Sequence, residues 1–294
     1  MRWIPVIINP SAGKKTAVLA ELNEVFQPAG VRWSVEITQG DGDGARLASR
    51  LVEQGAEIVG VYGGDGTVSE VATGLAGSDT ALGVLPGGTG NVLAYDFGVP
   101  RDFVEAARLL VSEHAVRTVD MGEIGERKFL LRVGVGFEAL VVEHTPRSLK
   151  DRFGLLAYGI GGLQALLETR ALRYQLDLDG QAIEAEGVIC TVANSGHLGL
   201  PGMTLSPSID IADGLLDVFV LRKVDIRLLI QIVSENIPYV PKPAQLQQWQ
   251  VREVGISVAP SQTVQVDGDN LGTTPVRLRS APGCLKVIVP GNSV

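Results

Sequence analysis

Along the first 118 positions two textures alternate. Mostly apolar, strand-like blocks at 3–9, 31–38, 57–62 and 81–85 are interleaved with helix-like stretches at 16–26, 44–53, 67–76 and 102–112. In the last of these, Phe103, Ala106, Ala107 and Leu110 fall at i, i+3, i+4 and i+7, which makes one inward face, and Asp102 stands where a cap belongs. Regular strand–helix alternation predicts a parallel sheet covered by helices.

After about residue 119 the pattern changes. Short, often alternating segments at 127–133, 173–178, 182–192, 215–221, 255–258, 263–266, 276–279 and 284–289 are separated by turn residues such as Asp179-Gly180 and Pro282-Gly283. That grammar predicts an all-β half. Two helix-like pieces interrupt it, at 226–235 and at 153–169, where Leu155, Leu156, Ile160, Leu163, Leu166 and Leu167 are broken by Gly159, Gly161 and Gly162. The 153–167 stretch is a candidate lining for an apolar slot or for contact with a bilayer surface, against the simpler reading of a helix covering a sheet. A proline-rich connection runs from 238 to 243. The expected division is an α/β domain over 1–119 and a β-rich domain over 120–280, with the boundary near Asp120.

The candidate chemistry sits where predicted strands end. The strand at 57–62 runs into Gly63-Gly64-Asp65-Gly66-Thr67 and then a helix. Glycines let backbone N–H groups converge on an anion, and a helix start adds its positive end, so phosphate is the natural guest. A tight strand-to-helix turn is the plainer alternative. Asp65 fits a phosphate cradle only if it binds Mg²⁺, orients water or holds the loop by hydrogen bonds. The strand at 81–85 runs into a second glycine turn, Pro86-Gly87-Gly88-Thr89-Gly90-Asn91, where Thr89 and Asn91 add side-chain hydrogen bonds. On neighbouring strands the two turns would face one cleft.

The first strand ends in Asn9-Pro10-Ser11-Ala12-Gly13-Lys14-Lys15. This fails the Walker template, since Ile8 stands at the early glycine and Lys15 at the Ser/Thr; Ser11 and the backbone remain donors for another phosphate geometry, beside the reading of a capped turn. Gln39 to Gly44 lacks the third ligand and closing Glu of a calcium loop. Thr38, at the end of the second strand, is a candidate hydroxyl donor to nucleotide or a simple strand end.

Composition narrows the classes. The 294 residues are 45% hydrophobic, enough for real cores, and 25 Lys+Arg against 33 Asp+Glu leave a net charge of −8. No basic patch supports a nucleic-acid role. Cys190 and Cys284 belong to no metal-binding spacing and read as reduced core thiols, a distant disulfide being the alternative. The opening segment does not read as a signal peptide, and no apolar run reaches membrane-spanning length, so a cytoplasmic protein that visits a membrane surface is expected. Of the dispersed His114, His144 and His197, only His197 lies in a loop of functional texture, and a structural role is expected for it.

Asn9-Pro10-x-Ala12-Gly13, Gly63-Gly64-Asp65-Gly66-Thr67-x-x-Glu70 and Pro86-x-Gly88-Thr89-x-Asn91, in this order and spacing, resemble the diacylglycerol kinase catalytic family, which includes bacterial lipid kinases and sphingosine kinases. The likeness extends through Ala193-Asn194-Ser195-Gly196, Asp213-Gly214-Leu215-Leu216-Asp217 and Val266-Asp267-Gly268-Asp269, nearly the whole chain. It implies an α/β nucleotide domain similar to NAD kinases and phosphofructokinases, a C-terminal β-sandwich, and phosphorylation of a lipid hydroxyl by Mg·ATP. Asn9, Ser11, Thr38, Gly63, Gly64, Asp65, Gly66, Thr67, Ser69, Glu70, Gly88, Thr89 and Asn91 would form the nucleotide site, and Asp65 and Asp120 a Mg²⁺–water network. The backbone carbonyls of Asp210 and Leu215 and the carboxylate of Asp213 would match a second, structural Mg²⁺ site, with a plain β-turn as the alternative, and residues 281–294 would return to the first domain.

Two departures stand out. Val92 to Tyr95 replace the family's Asp-Phe-Ala-Arg, and Asp269 stands where the family's catalytic Glu does. Asp269 is one methylene shorter, and a shift of about 1 Å can cost on the order of 100-fold in rate. Three readings remain: a lipid kinase acting on diacylglycerol, phosphatidylglycerol or a long-chain base; an NAD kinase or other small-molecule kinase; and a lipid- or nucleotide-binding regulator with little turnover. No pattern in the sequence encodes the oligomeric state, and a homodimer stays open.

Overall fold

The computed structural model describes residues 2–13, 17–136, 171–197, 205–206, 208–222 and 246–291. The helix-like stretches at 153–169 and 226–235, the proline-rich connection and His144 lie outside them. The chain forms two compact units, Met1–Met121 with Ala281–Val294, and Gly122–Ser280.

In the first unit the elements run β1 (Trp3–Ile8), α1 (Val18–Phe26), β2 (Arg32–Ile37), α2 (Asp43–Glu53), β3 (Ile58–Gly63), α3 (Asp65–Leu75), β4 (Ala81–Pro86), α4 (Val92–Asp96) and α5 (Phe103–Val111), then β5 (Ala115–Ile124). The strands lie in the order β2-β1-β3-β4, all parallel. Every residue of β3 and β4 is buried, as expected for central strands covered on both faces. The α5 face is the one its spacing predicts: Ala106, Ala107 and Leu110 are buried, and Asp102 caps the helix by accepting the Glu105 N–H. Leu110 presses on the sheet where it carries no side chains, since a Cβ on Gly83 would sit 2.5 Å from a Leu110 methyl. Parallel strands place all their carboxyl ends on one edge, so the loops after β1, β2, β3 and β4 open on the same side.

The second unit holds β6 (Arg127–Phe129), β7 (Arg132–Gly136), β8 (Leu172–Leu178), β9 (Gln181–Gly187), β10 (Ile189–Ala193), β11 (Leu216–Leu221), β12 (Leu246–Val251), β13 (Glu253–Val258), β14 (Thr263–Val266), β15 (Asp269–Thr273) and the start of β16 (Val276–Val289). One antiparallel layer orders β16-β13-β8-β9, the other β12-β11-β10-β7-β14-β15. Alternate residues point inward: Tyr174, Leu176 and Leu178 of β8 and Val254 and Ile256 of β13 share one core with Val133 and Val135 of β7, Cys190 and Val192 of β10 and Val218 and Val220 of β11. This is a β-sandwich, with the period-2 pattern such layers require. Cys190 is buried and Cys284 half-buried, and the two are not joined in a disulfide.

The structure corrects several boundaries. The segments expected at 127–133 and 182–192 are each two strands. The reverse turn expected at Pro282-Gly283 is instead part of continuous β16, with Gly283 at φ 60° and its N–H donated to Asp120 Oδ1 at 2.6 Å. The later residues of β16 belong to the first unit, where Lys286 and Val287 pair in parallel with Ala81 and Leu82 of β4.

Candidate active site

Three loops meet at the carboxyl edge of the parallel sheet in the first unit. Gly63 pairs with Pro86 at the ends of β3 and β4, and the Gly87 N–H donates to the Gly63 carbonyl at 2.9 Å, so the two glycine turns leave the sheet side by side. They stay in backbone contact beyond it: a Cβ on Gly88 would lie 2.7 Å from the Cα of Gly64. No side chain fits there without moving a backbone. The third loop is tied in by Asn9, whose Nδ2 donates to Thr67 Oγ1 at 2.9 Å, and by the Asn9 N–H, which donates to the Tyr62 carbonyl at 2.9 Å. Gly13, at φ 80°, lies so close that a Cβ on it would be 3.2 Å from the Gly87 carbonyl oxygen.

Above these turns the N-terminus of α3 is open. Gly64 caps it in extended conformation without a side-chain partner. A Cβ on Gly66 would meet nothing within 4 Å. Packing accounts for the glycine at 88; at 66 the protein itself makes no such demand, and a bare helix start with room above it is what an anion uses.

Asp65 begins α3, and its Oδ1 accepts the Leu93 N–H at 3.0 Å, which ties the first turn to α4. Asn91, at φ 48°, folds the second turn by a reciprocal pair: its Oδ1 accepts the Gly88 N–H and its Nδ2 donates to the Gly88 carbonyl, both at 2.8 Å. Thr89 is exposed at the tip. The exposed Ser11 donates its N–H to Asn9 Oδ1 at 2.9 Å. Thr38 is buried at the same edge, its N–H donated to the Ile8 carbonyl.

Two members of the motif face inward. Ser69 is buried within α3. Glu70 holds the start of α2, its carboxylate accepting the N–H groups of Gly42 and Gly44 at 3.0 and 2.9 Å. Glu70 thereby ties α3 to the loop at 39–44. Asp43 braces the same loop by accepting the Gln39 N–H, and the guanidinium of Arg46, ahead of that bond, holds its carboxyl below the usual carboxylate range.

For a divalent cation the donors are hard carboxylate oxygens. Asp120 is buried on β5, and both Asp65 and Asp120 give one oxygen to a backbone N–H. No cluster of three acidic, His or Cys groups occurs among the described residues. Carboxylate oxygens are the donor type that Mg²⁺ takes, together with waters and substrate phosphates.

In the second unit Asp267 and Gly268, at φ 49° and 98°, form the two-residue turn of the β14–β15 hairpin, with Val266 opposite Asp269. Asp269 projects at its tip, 68% exposed, and pairs with Arg127 at 3.4 Å. Asp267 is engaged instead: its carboxylate accepts the N–H groups of Leu130, Leu131 and Arg132 at 2.9 to 3.0 Å. The Asp210–Leu215 loop folds on itself, Asp210 Oδ1 accepting the Ala212 N–H and Asp213 Oδ1 the Leu215 N–H. Nearby, burial raises the Asp217 carboxyl, partly offset by the Gln248 amide at 2.7 Å. The carbonyl of His197 accepts from Arg132 Nη1.

Sequence reasoning did not find α4, the hydrogen bond from Leu93 to Asp65, Arg127, or the anchoring role of Asp267. Only the last had a signal: Asp-Gly between two strand patterns marks a hairpin turn.

Comparison with known proteins covers both units. The model of the diacylglycerol kinase catalytic domain matches residues 4–124, and that of the YegS C-terminal NAD kinase beta sandwich-like domain matches 132–289. A diacylglycerol kinase of Mycobacterium tuberculosis is 31% identical over 98% of this chain and 95% of its own. A protein of Chromohalobacter salexigens described as a probable YegS-like lipid kinase is 30% identical over 95% of this chain and 92% of its own. Two solved structures from Bacillus anthracis strain Sterne each cover 100% of this chain and 98% of their own: one described as a diacylglycerol kinase, 24% identical with a TM-score of 0.76, and another 25% identical with a TM-score of 0.83.

Proposed function

The chain belongs to the diacylglycerol kinase catalytic family, and we propose that it transfers the γ-phosphate of ATP, with Mg²⁺, to the hydroxyl of a membrane lipid, of which diacylglycerol is the first to test. The observation that carries this reading is the interlocked pair of glycine turns beneath the open start of α3, where Gly88 is bare because Gly64 abuts it and Gly66 is bare with nothing above it.

In the proposed reaction the backbone N–H groups of 64–67 and 89–90 hold the phosphates, and Thr38, Thr67 and Thr89 offer hydroxyl donors. Asp65 fixes the two turns to each other and, with Asp120, supplies carboxylate oxygens for a hydrated cation. Mg²⁺, when bound with the nucleotide, neutralises charge that develops on the γ-phosphoryl group. Asp269 accepts the proton of the lipid hydroxyl as its oxygen bonds to the γ-phosphorus, and the bond to the β,γ-bridging oxygen breaks to leave ADP. Among the described residues no helix is long and apolar enough to cross a membrane.

The experiment is transfer of labelled γ-phosphate into a mixed lipid extract, separated by thin-layer chromatography, beside a panel of soluble acceptors including NAD. Label in a lipid alone supports the proposal. Label in a soluble acceptor overturns it in favour of a small-molecule kinase, and ATP binding with no labelled product overturns it in favour of a regulator.

A further inference from the structure

The second unit uses one device twice. At the β8–β9 hairpin, Asp179 and Gly180 adopt φ 50° and 86°, as Asp267 and Gly268 do at β14–β15. In both, the aspartate reaches off its own hairpin to a place where another pair of strands is interrupted. Asp179 accepts the N–H groups of Arg252 and Glu253, between β12 and β13, and donates its own N–H to the Glu253 carbonyl at 3.1 Å. Asp267 accepts those of Leu130, Leu131 and Arg132, between β6 and β7, and donates its own to the Arg132 carbonyl at 3.0 Å. At each break a carboxylate in a left-handed turn supplies the acceptor for these amides.

The two copies differ at the residue after the glycine. Beyond Gly180 stands Gln181, an ordinary start of β9; beyond Gly268 stands Asp269, whose carboxylate meets Arg127 of β6, the strand that ends at the segment Asp267 grips. The grip is also braced from behind: buried Asn194 donates its Nδ2 to the Leu130 carbonyl at 2.9 Å, and the N–H groups of Asn194 and Ser195 donate to the Leu131 carbonyl. Both the N–H and the C=O of 130 and 131 are thereby fixed.

We propose that Asp267 is a positioning residue for the phosphoryl transfer: its carboxylate locks the hairpin tip to the β6–β7 corner and so sets where the Asp269 carboxylate stands. This rests on the role proposed for Asp269 in the transfer. The Asp267 carboxylate is engaged by three backbone N–H groups, while that of Asp269, two residues on, is 68% exposed. The turn at Asp179 is a built-in control with the same backbone conformation, two gripped N–H groups in place of three, and no such neighbour.

The test compares full-length Asp267→Asn, Asp179→Asn, Asp269→Asn and the Asp267→Asn/Asp269→Asn double variant, by lipid phosphorylation and by residue-resolved amide exchange. In Asp267→Asn, exchange at 130–132 and 268–270 should rise about tenfold or more, as expected when local protection is lost. Its kcat should fall about 10- to 100-fold through misplacement of the neighbouring carboxylate, with the KM for ATP unchanged. Asp179→Asn should speed exchange at 252–253 and leave kcat intact. The double variant should be no slower than Asp269→Asn alone, since the two residues act as one unit.

Faster exchange at the tip with normal kcat would make the grip merely structural, and an equal kcat loss in Asp179→Asn would reduce it to general loosening. A kcat loss without any change in exchange would put Asp267 into the chemistry itself. If the wild-type chain labels no lipid, the functional reading falls, while exchange at 268–270 still decides: an undisturbed tip in Asp267→Asn overturns the lock. Should Asp267→Asn not fold, Asn194→Ala loosens the same corner from its carbonyl side and carries the same expectations.

Discussion

The glycine turns of the first unit and the Asp267–Asp269 hairpin of the second are both short loops given work in the proposed reaction, and they are held in opposite ways. The turns are held by proximity of bare backbone: Gly88 against Gly64, and the Gly87 N–H on the Gly63 carbonyl, between two fully buried strands. The hairpin tip is exposed, and its place is set by a carboxylate reaching about 135 residues back along the chain to the β6–β7 corner. The first arrangement admits no added atom where Gly88 meets Gly64; the second depends on charge and hydrogen bonding. Rigidity by exclusion suits a site that must always present the same N–H groups, and rigidity by anchoring leaves a carboxylate free to meet solvent and substrate.

The largest effect that contrast predicts is at the hairpin, where Asp269→Asn should lower lipid phosphorylation about 100- to 10,000-fold, the range of a lost general base, with ATP affinity and melting temperature unchanged. A variant with full kcat would remove Asp269 from the reaction. Next is Gly88→Ala, whose methyl would press on the Gly64 backbone; ATP binding should be lost together with about 1–3 kcal/mol of stability, the usual cost of overpacking. Gly66→Ala sharpens the point, because it has room. Its stability should hold or rise by up to about 1 kcal/mol, alanine being the better helix former, while ATP affinity falls. Calorimetry and titration of both variants would separate the cases, and unchanged ATP binding in Gly66→Ala would exclude phosphate from that face.

The smallest effect expected is electrostatic. Glu123 is held below the usual carboxylate range, first by Lys128, then by Arg279, against its partial burial. A carboxylate whose folded value is depressed stabilises the fold above its unfolded value and loses that contribution as pH falls through the folded one. Glu123→Gln should therefore cost about 1 kcal/mol at neutral pH, with the gap to wild type closing below pH ~4. A gap constant with pH, followed by thermal melts, would show that packing and not charge is what the side chain provides.

The parallel strands of the first unit were legible because they are buried on both faces and read as continuous apolar runs, and the glycine turns because they recur in one order and spacing with Asn9-Pro10 and Asn91. The strands that escaped are those whose reason lies elsewhere in the chain. β12 carries Gln247, Gln248 and Gln250, and β15 is mostly exposed; each is a strand because β11 or β14 offers it a ladder. Helix α4 spans only five residues, too short for a period, and is set by Asn91 and Asp65. The break at 130–131 falls within the apolar run Phe129-Leu130-Leu131, where the carboxylate of Asp267 takes the backbone N–H groups. Glu70 was legible as part of a motif, yet its hydrogen bonds to Gly42 and Gly44 depend on how α2 meets α3.

The last strand gives the order of synthesis a meaning. β4 is flanked on one side by β3 and on the other by the end of β16, where Lys286 and Val287 complete the ladder and Lys286 Nζ meets Asp79 at 2.6 Å. A ribosome delivers β4 some 200 residues before its partner. For that whole interval the nascent first unit carries an apolar strand edge with open N–H and C=O groups, the kind of edge that recruits other chains. The first unit is thus begun early and closed last, and the chain's most exposed moment for misassembly falls while the β-sandwich is being made.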